Sequence, residues 1–362
     1  SSVSNATESG SAFVIKNTTD YTDNYASGQA SVGLWAARTA GAFGNSLQIS
    51  TCPSATAYEE VNKTTVADAA MAVGDTVVTV TSAAGITAGD IVNFGDEYEY
   101  RVVSVATNDL NIVRKDEPAY FGTSESSGLH QAPTNGAQVR RRWKYYDLFD
   151  KAPGTSPYAQ AKSGVNDELH IVVIDEDGDI TGTKGDVLEK FEAVSKASDA
   201  KTAQGSVNYY PDVIYKASNY IYWMDHNAGG SNWGSAAAGT TFTDVTSVSN
   251  VSLQAGSDGT AATIGQRKTA YEKFQDGETV DVGLIIAGAG DATHIGNLIT
   301  IAENRKDAVV FASPERSDVV GIADANTQKS NVVSFFQGIQ SSSYVVFDSG
   351  YKYMYDRDSD VY

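Results

Sequence analysis

Three places in the chain carry residues whose types and spacing suit chemistry. In GLIIAGAGDATHIG, Gly288 and Gly290 open the pattern of a dinucleotide-binding turn, but Thr293 stands where the third glycine is needed. No phosphate-binding G-x-x-x-x-G-K-[ST] run occurs anywhere. His130, His170, His226 and His294 lie far apart, with no metal-protease spacing among them. His294 sits near a helix start and is a candidate base, yet no G-x-S-x-G nucleophile motif accompanies it. Two acidic clusters, Asp175-Asp177-Asp179 and Asp356-Asp358-Asp360, have the oxygen chemistry of calcium ligands. A calcium loop needs glycine at its sixth position and glutamate at its twelfth. Counted from Asp175 those positions hold Ile180 and Asp186; counted from Asp356 the sixth is Val361 and the twelfth falls past Tyr362. Both clusters therefore read as a hairpin turn or a solvated edge. No metal site is expected at either cluster, and the missing motifs count against an enzyme without eliminating one.

The bulk composition narrows the partners. Among 362 residues the net charge is −19, which opposes a general affinity for nucleic acid or an anionic membrane. The one basic run, Arg140-Arg141-Arg142, lies beside Trp143 and reads as a hairpin face or a docking point for an acidic neighbour. A single cysteine, Cys52, rules out an internal disulfide and suits a reducing cytoplasm. No stretch approaches the roughly 18 apolar residues of a membrane span. With 41% hydrophobic residues the chain can build a substantial core.

The elements that would position these residues change character along the chain. Residues 1–30 are rich in Ser, Thr, Asn and Gly and read as an extended, weakly packed lead-in. SVGLWAARTAGAFGNSLQIST places two apolar runs around the Gly41–Gly44 turn. Residues 59–142 hold short, β-branched, alternating segments separated by Gly, Asn and Asp, which predicts a small antiparallel β-barrel or β-sandwich inserted into a larger domain. That larger domain spans 31–58 and 143–350. There, ELHIVVID predicts a strand, and Val187, Leu188, Phe191 and Val194 fall at helical spacing in the segment that follows. YYPDVIYKASNYIYWMDH returns to strand composition. TVDVGLIIAG reads as a central strand covered on both faces. ATHIGNLITIAENRKD predicts a helix, AVVFASP a strand, DANTQKSNVVSFFQGI a helix ending at Gly338, and SYVVFDSG a strand. This alternation predicts an α/β core with a largely parallel sheet covered by helices.

Taken in order, several segments resemble the tail sheath proteins of contractile bacteriophages. GETVDVGLIIAG, RKDAVVFASPERSDVVGI and FDSGYKYMYDRDSDV are similar to consecutive blocks of that family's α/β core. TAGAFGNSLQIS resembles its pGxxGN segment, with Ala40 where proline is common. The resemblance covers residues 33–55 and 143–362, and the β-rich insertion has no counterpart in it. It implies a non-enzymatic subunit, without catalytic residues or cofactor, that polymerises as a helical tube around the tail tube and contracts to drive that tube through the host envelope. It further implies partners in other sheath subunits, the tail tube protein, the baseplate and the tail terminator, in a virion tail assembled in the host cytoplasm. The insertion would decorate the outside. Residues 351–362 would open a further C-terminal domain, and the chain would be a truncated or protease-resistant fragment that is monomeric alone. Charge beside the family-like segments makes Arg305, Lys306, Arg316, Asp356 and Asp358 the candidate subunit contacts. Two other readings remain open at this point: a nucleotide-binding α/β enzyme built on the Gly288–Gly290 turn, and a secreted surface-layer or adhesion protein.

Overall fold

The computed structural model describes residues 3–115 and 128–358. The chain forms two compact units, Ser1–Thr260 and Ala261–Tyr362. In the first, a four-stranded sheet is ordered Val187–Ser195, Glu168–Asp175, Leu47–Cys52, Ser249–Ser252, and every pairing in it is antiparallel. Glu168–Asp175 is buried along its whole length. Leu169, Ile171 and Val173 face one apolar cluster while Val172 and Ile174 face another, so this run is apolar at every step instead of alternating. A two-stranded antiparallel pair, Trp35–Ala37 with Ile221–Trp223, stands beside it.

Two expectations fail here for identifiable reasons. The segment read as a helix from Val187, Leu188, Phe191 and Val194 is the strand Val187–Ser195. Register shifts between Val187 and Glu189 and between Phe191 and Val194 bulge the strand. The bulges bring Leu188, Phe191 and Val194 to one apolar cluster, which imitates a helical repeat. Conversely, Tyr210–Ala217, read as strand, is a helix with Pro211 in its first turn and Tyr210 and Ile214 turned inward.

The described part of the lead-in, residues 3–30, is also better packed than expected. Asn5 is fully buried; its Nδ2 donates to Ala37 O (2.9 Å) and its Oδ1 accepts from Ile15 N–H (2.8 Å). A short helix, Thr18–Asn24, sends Tyr21 inward, where its hydroxyl donates to Trp223 O (2.7 Å). The polar composition hid this because the anchoring is done by hydrogen bonds from Asn and Tyr.

The described residues of 59–142 form a six-stranded antiparallel sheet in the order Glu59–Thr65, Gln138–Arg142, Ile91–Asn93, Tyr100–Ala106, Asp109–Arg114, Val77–Thr79. Its two outer strands meet past their ends. Val66 bridges Val80, Ala67 N–H donates to Thr79 O (2.9 Å) and Thr81 N–H to Thr65 O (2.8 Å), so the sheet closes into a barrel. Val66, Val78, Phe94, Tyr100, Leu110 and Val139 are among the side chains that fill it.

Residues 261–358 form the second unit. Leu284–Ile286, Val309–Ala312 and Val345–Phe347 make a three-stranded parallel sheet with Val309–Ala312 in the centre. Helices Ala292–Arg305 and Ala325–Gln337 supply the crossovers. Among the described residues the parallel ladders are those of these three strands, with isolated parallel bridges between Val165 and Thr241 and between Ser195 and Tyr209. The sheets of 31–58 and 143–260 are antiparallel; a largely parallel sheet through the whole core is not what forms. Ile285, Val310 and Ala312 pack with Ile295, Leu298, Ile299 and Ala302 of the first helix. Leu284 and Ile286 point the other way and are 67% and 75% exposed, so the strand read as doubly covered is an edge strand covered on one face. No helix among the described residues is long and apolar enough to cross a membrane.

Candidate interaction surfaces

Several of the sequence-level candidates for chemistry make structural contacts. Gly288 has φ +63°, and Gly290 lies against the ring of His294, where a Cβ would collide with it. Asp291 caps the following helix, its carboxylate accepting from His294 N–H (2.8 Å). The buried His294 ring reaches Ala287 O through Nε2 (3.2 Å) and meets Tyr271 edge-on. The glycine turn is thus shaped around a packed imidazole.

Asp175 is a loop cap. Its carboxylate accepts from Gly178 N–H (3.0 Å), Ile180 N–H (3.1 Å), and Thr181 N–H and Oγ (2.7 and 2.9 Å). Burial raises its pKa, but these donors outweigh that and hold it below the usual carboxylate range. Asp356 accepts from Asp358 N–H (3.0 Å) in a local turn, both residues are exposed, and Asp360 lies outside the described residues. Among the described residues no group of three or more His, Cys, Asp or Glu is placed to hold a metal ion.

The other histidines are structural too. His170 is buried with Nδ1 accepting from Ala193 N–H (2.9 Å), which leaves Nε2 to donate to Lys151 O (2.8 Å). Phe149 stacks on the ring at 4.2 Å, and burial pushes the pKa down. His226 contacts the Tyr210 and Tyr209 hydroxyls through Nδ1 (2.6 Å) and Nε2 (3.2 Å), and burial lowers its pKa as well. His130 stacks on Tyr98 with ring centroids 4.3 Å apart.

The arginine run forms the foot of the barrel. Arg140 and Arg142 pair with Glu59 at 3.3 and 3.0 Å, and Arg142 also pairs with Glu99. Arg141 is buried; it meets Glu60 (3.2 Å) and Asp90 (3.5 Å) and donates to Thr56 O (3.1 Å) and Ala57 O (3.0 Å). Trp143 N–H donates to Tyr58 O (2.8 Å) and its indole N–H to Ser50 Oγ (2.9 Å), joining the barrel neck to the central sheet. These charges serve an internal joint and are largely spent there.

The candidate contacts divide in the same way. The Arg305 side chain is covered: its guanidinium donates to Phe274 O (2.6 Å), Val280 O (2.9 Å) and Val282 O (3.3 Å) and pairs with Asp307 (2.9 Å). It clamps the loop entering the first parallel strand. Lys306 is exposed and ends the Ala292–Arg305 helix in a left-handed conformation, φ 65°. Arg316 is exposed and lines a groove of about 1360 Å³. The groove lies against the uncovered side of the parallel sheet, with Leu284, Ile286 and Phe311 among its lining and Asp291, Glu315 and Asp348 beside them. Sequence reasoning missed this face. No periodic signal marked it, because Leu284, Ile285 and Ile286 are all apolar and the run does not show which face is covered.

No family model matches the chain. Over 367 aligned residues it is 26% identical to the tail sheath protein of Salmonella phage ViI, covering 98% of this chain and 53% of that protein. The chain is a relative of phage tail sheath proteins. A second sheath relative, from Enterobacteria phage T4, is 27% identical over 199 residues, covering 48% of this chain and 28% of that protein. The chain thus spans about half the length of the ViI sheath protein. The ViI match extends through nearly the whole chain, so it takes in the residues of the barrel, for which sequence patterns alone offered no counterpart.

Proposed function

We propose that the chain is part of a structural subunit of a contractile phage tail sheath, which polymerises as a helical tube around the tail tube and contracts to drive it through the host envelope. The similarity to sheath proteins along 98% of the chain carries this reading. The work of such a subunit is mechanical, so no catalytic residue is assigned. Its partners are other sheath subunits, with the tail tube, baseplate and terminator at the inner surface and ends, and it assembles in the host cytoplasm. The barrel suits an outer position because it closes its own hydrogen-bonded edge and buries its own apolar core, so it needs no neighbour for stability. Lys306, Arg316, Asp356 and Asp358 remain the proposed charged contacts, while Arg305 holds the loop that enters the first parallel strand. The chain alone, without a neighbour's contribution, is a monomer. Gold-labelled antibody raised against residues 59–142 tests the reading on phage particles. Labelling spaced along the outside of the tail supports it; labelling confined to heads or fibres, or its absence from all particles, refutes it.

A further inference from the structure

In the first unit, one imidazole is held with a proton count that its neighbours dictate. The helix Tyr210–Ala217 and the strand Ile221–Trp223 bring Tyr209, Tyr210 and Trp223 around His226. The Trp223 indole N–H, a donor only, gives its proton to the Tyr210 hydroxyl (3.0 Å). Tyr210 is buried, and among the described residues the other partner of its hydroxyl is His226 Nδ1, at 2.6 Å. The Tyr210 proton must therefore go to Nδ1, which has to be bare. The ring proton then sits on Nε2 and is donated to the Tyr209 hydroxyl (3.2 Å).

The chain after His226 makes an excursion and returns onto the same ring. Ala228, Gly229, Ser231 and Asn232 are exposed. Trp233 then meets Tyr210 edge-on, and Gly234, with φ +86°, comes so close that a Cβ there would lie 2.7 Å from Nε2. A proton added to Nδ1 turns this acceptor into a donor aimed at the Tyr210 hydroxyl. The hydroxyl proton is then stranded in the interior without a partner.

The charged neighbours do not reverse this. Asp225 accepts from the His226 backbone N–H (2.7 Å) and favours a charged ring, but burial outweighs it and holds the His226 pKa down. Glu8 lies near Asp225 and its pKa is raised by burial, so its titration tightens the native state as pH falls. Asp212, near Tyr209, and Lys196, with Nζ 5.1 Å from the Trp233 ring centroid, also face this cluster.

We propose that His226 is the bolt of an acid-sensitive latch: when Nδ1 takes a proton, segment 226–234 releases from the Tyr210–Ala217 helix while the sheet behind it stays folded. The latch is a local device, separate from acid unfolding of the whole unit and independent of the sheath reading.

Hydrogen–deuterium exchange of the 362-residue chain, corrected for the intrinsic pH dependence of exchange, tests it. Amides of 228–234 should be less protected than those of Glu168–Asp175 at both about pH 7.5 and about pH 5.5, because the latch opens without the sheet. The released ring titrates near 6.5, so protection of 228–234 should fall several-fold, up to about tenfold, between those pH values. His226→Gln, whose carbonyl can still accept from Tyr210 while its NH2 donates to Tyr209, should abolish that fall. Equal protection of 228–234 and Glu168–Asp175 at both pH values overturns the proposal. So does a fall of less than about twofold in the parent chain; neither result needs a variant. A fall that persists in a His226→Gln chain with the parent's thermal midpoint assigns the acid sensitivity to another group and overturns it as well.

Discussion

The guanidinium of Arg141 and the carboxylate of Asp90 stand 3.5 Å apart at the foot of the barrel, both out of contact with solvent. Burial raises the Asp90 pKa and the Arg141 charge opposes that rise. The same guanidinium holds Thr56 O and Ala57 O, so one side chain ties a barrel strand to the segment that leads into it. The barrel is therefore fixed to its sheet by a buried charged joint, in addition to the two strands that enter and leave it.

Removing that side chain strands Asp90 without a cation in the interior. Arg141→Ala should lower the unfolding free energy by about 3 kcal/mol in urea titration. Arg141→Lys should recover only part of the loss, because a lysine cannot hold the two carbonyls and both carboxylates together.

Acid should weaken the first unit through its buried imidazoles. His170 and His226 have pKa values below the 6.5 expected in the unfolded chain, both because of burial. As pH falls through about 6.5, the unfolded state takes up protons that the native state refuses, so stability declines on acidification. The urea midpoint should be lower at about pH 5.5 than at about pH 7.5. The fall should be smaller in His170→Gln, and an equal fall would show that His170 does not contribute.

Arg305 and Lys306, neighbours in sequence, should behave oppositely. Arg305→Ala breaks the clamp on three carbonyls and should destabilise the second unit by about 2 kcal/mol in thermal unfolding. Lys306→Gly relieves a left-handed residue and should stabilise it by about 1 kcal/mol. Lys306→Glu should leave stability unchanged, so a defect of that variant in tail assembly would report a contact.

Millimolar calcium should leave the thermal midpoint unchanged relative to chelator. The Asp175 oxygens are already filled by N–H and hydroxyl donors, and a bound cation would have to displace them. A clear upward shift would restore the metal reading of the acidic clusters.

The legible parts of this sequence were those in which local periodicity and tertiary placement agree. Ile295, Leu298, Ile299 and Ala302 lie at helical spacing and do form one buried face of a helix. The alternating runs of 59–142 form short antiparallel strands. Legibility failed where a backbone irregularity rewrote the period, as the bulges do at Leu188, Phe191 and Val194. It also failed where Pro211 marked a helix start inside an aromatic segment that otherwise resembles a strand. The uncovered face at Leu284 and Ile286 was hidden for another reason: an apolar run reveals that burial is needed but not which of its two faces is covered. Arg141 was visible as a charge, yet only the fold shows that its partners are internal.

Helical reconstruction of the tail of the phage that encodes this chain tests the central claim most directly. The account predicts that the sheath density accommodates residues 59–142 as a closed six-stranded barrel on the outer surface, once per subunit and joined through Trp143 to the antiparallel sheet beneath. A sheath whose density traces a different polypeptide, with this chain absent from the tail, would contradict it.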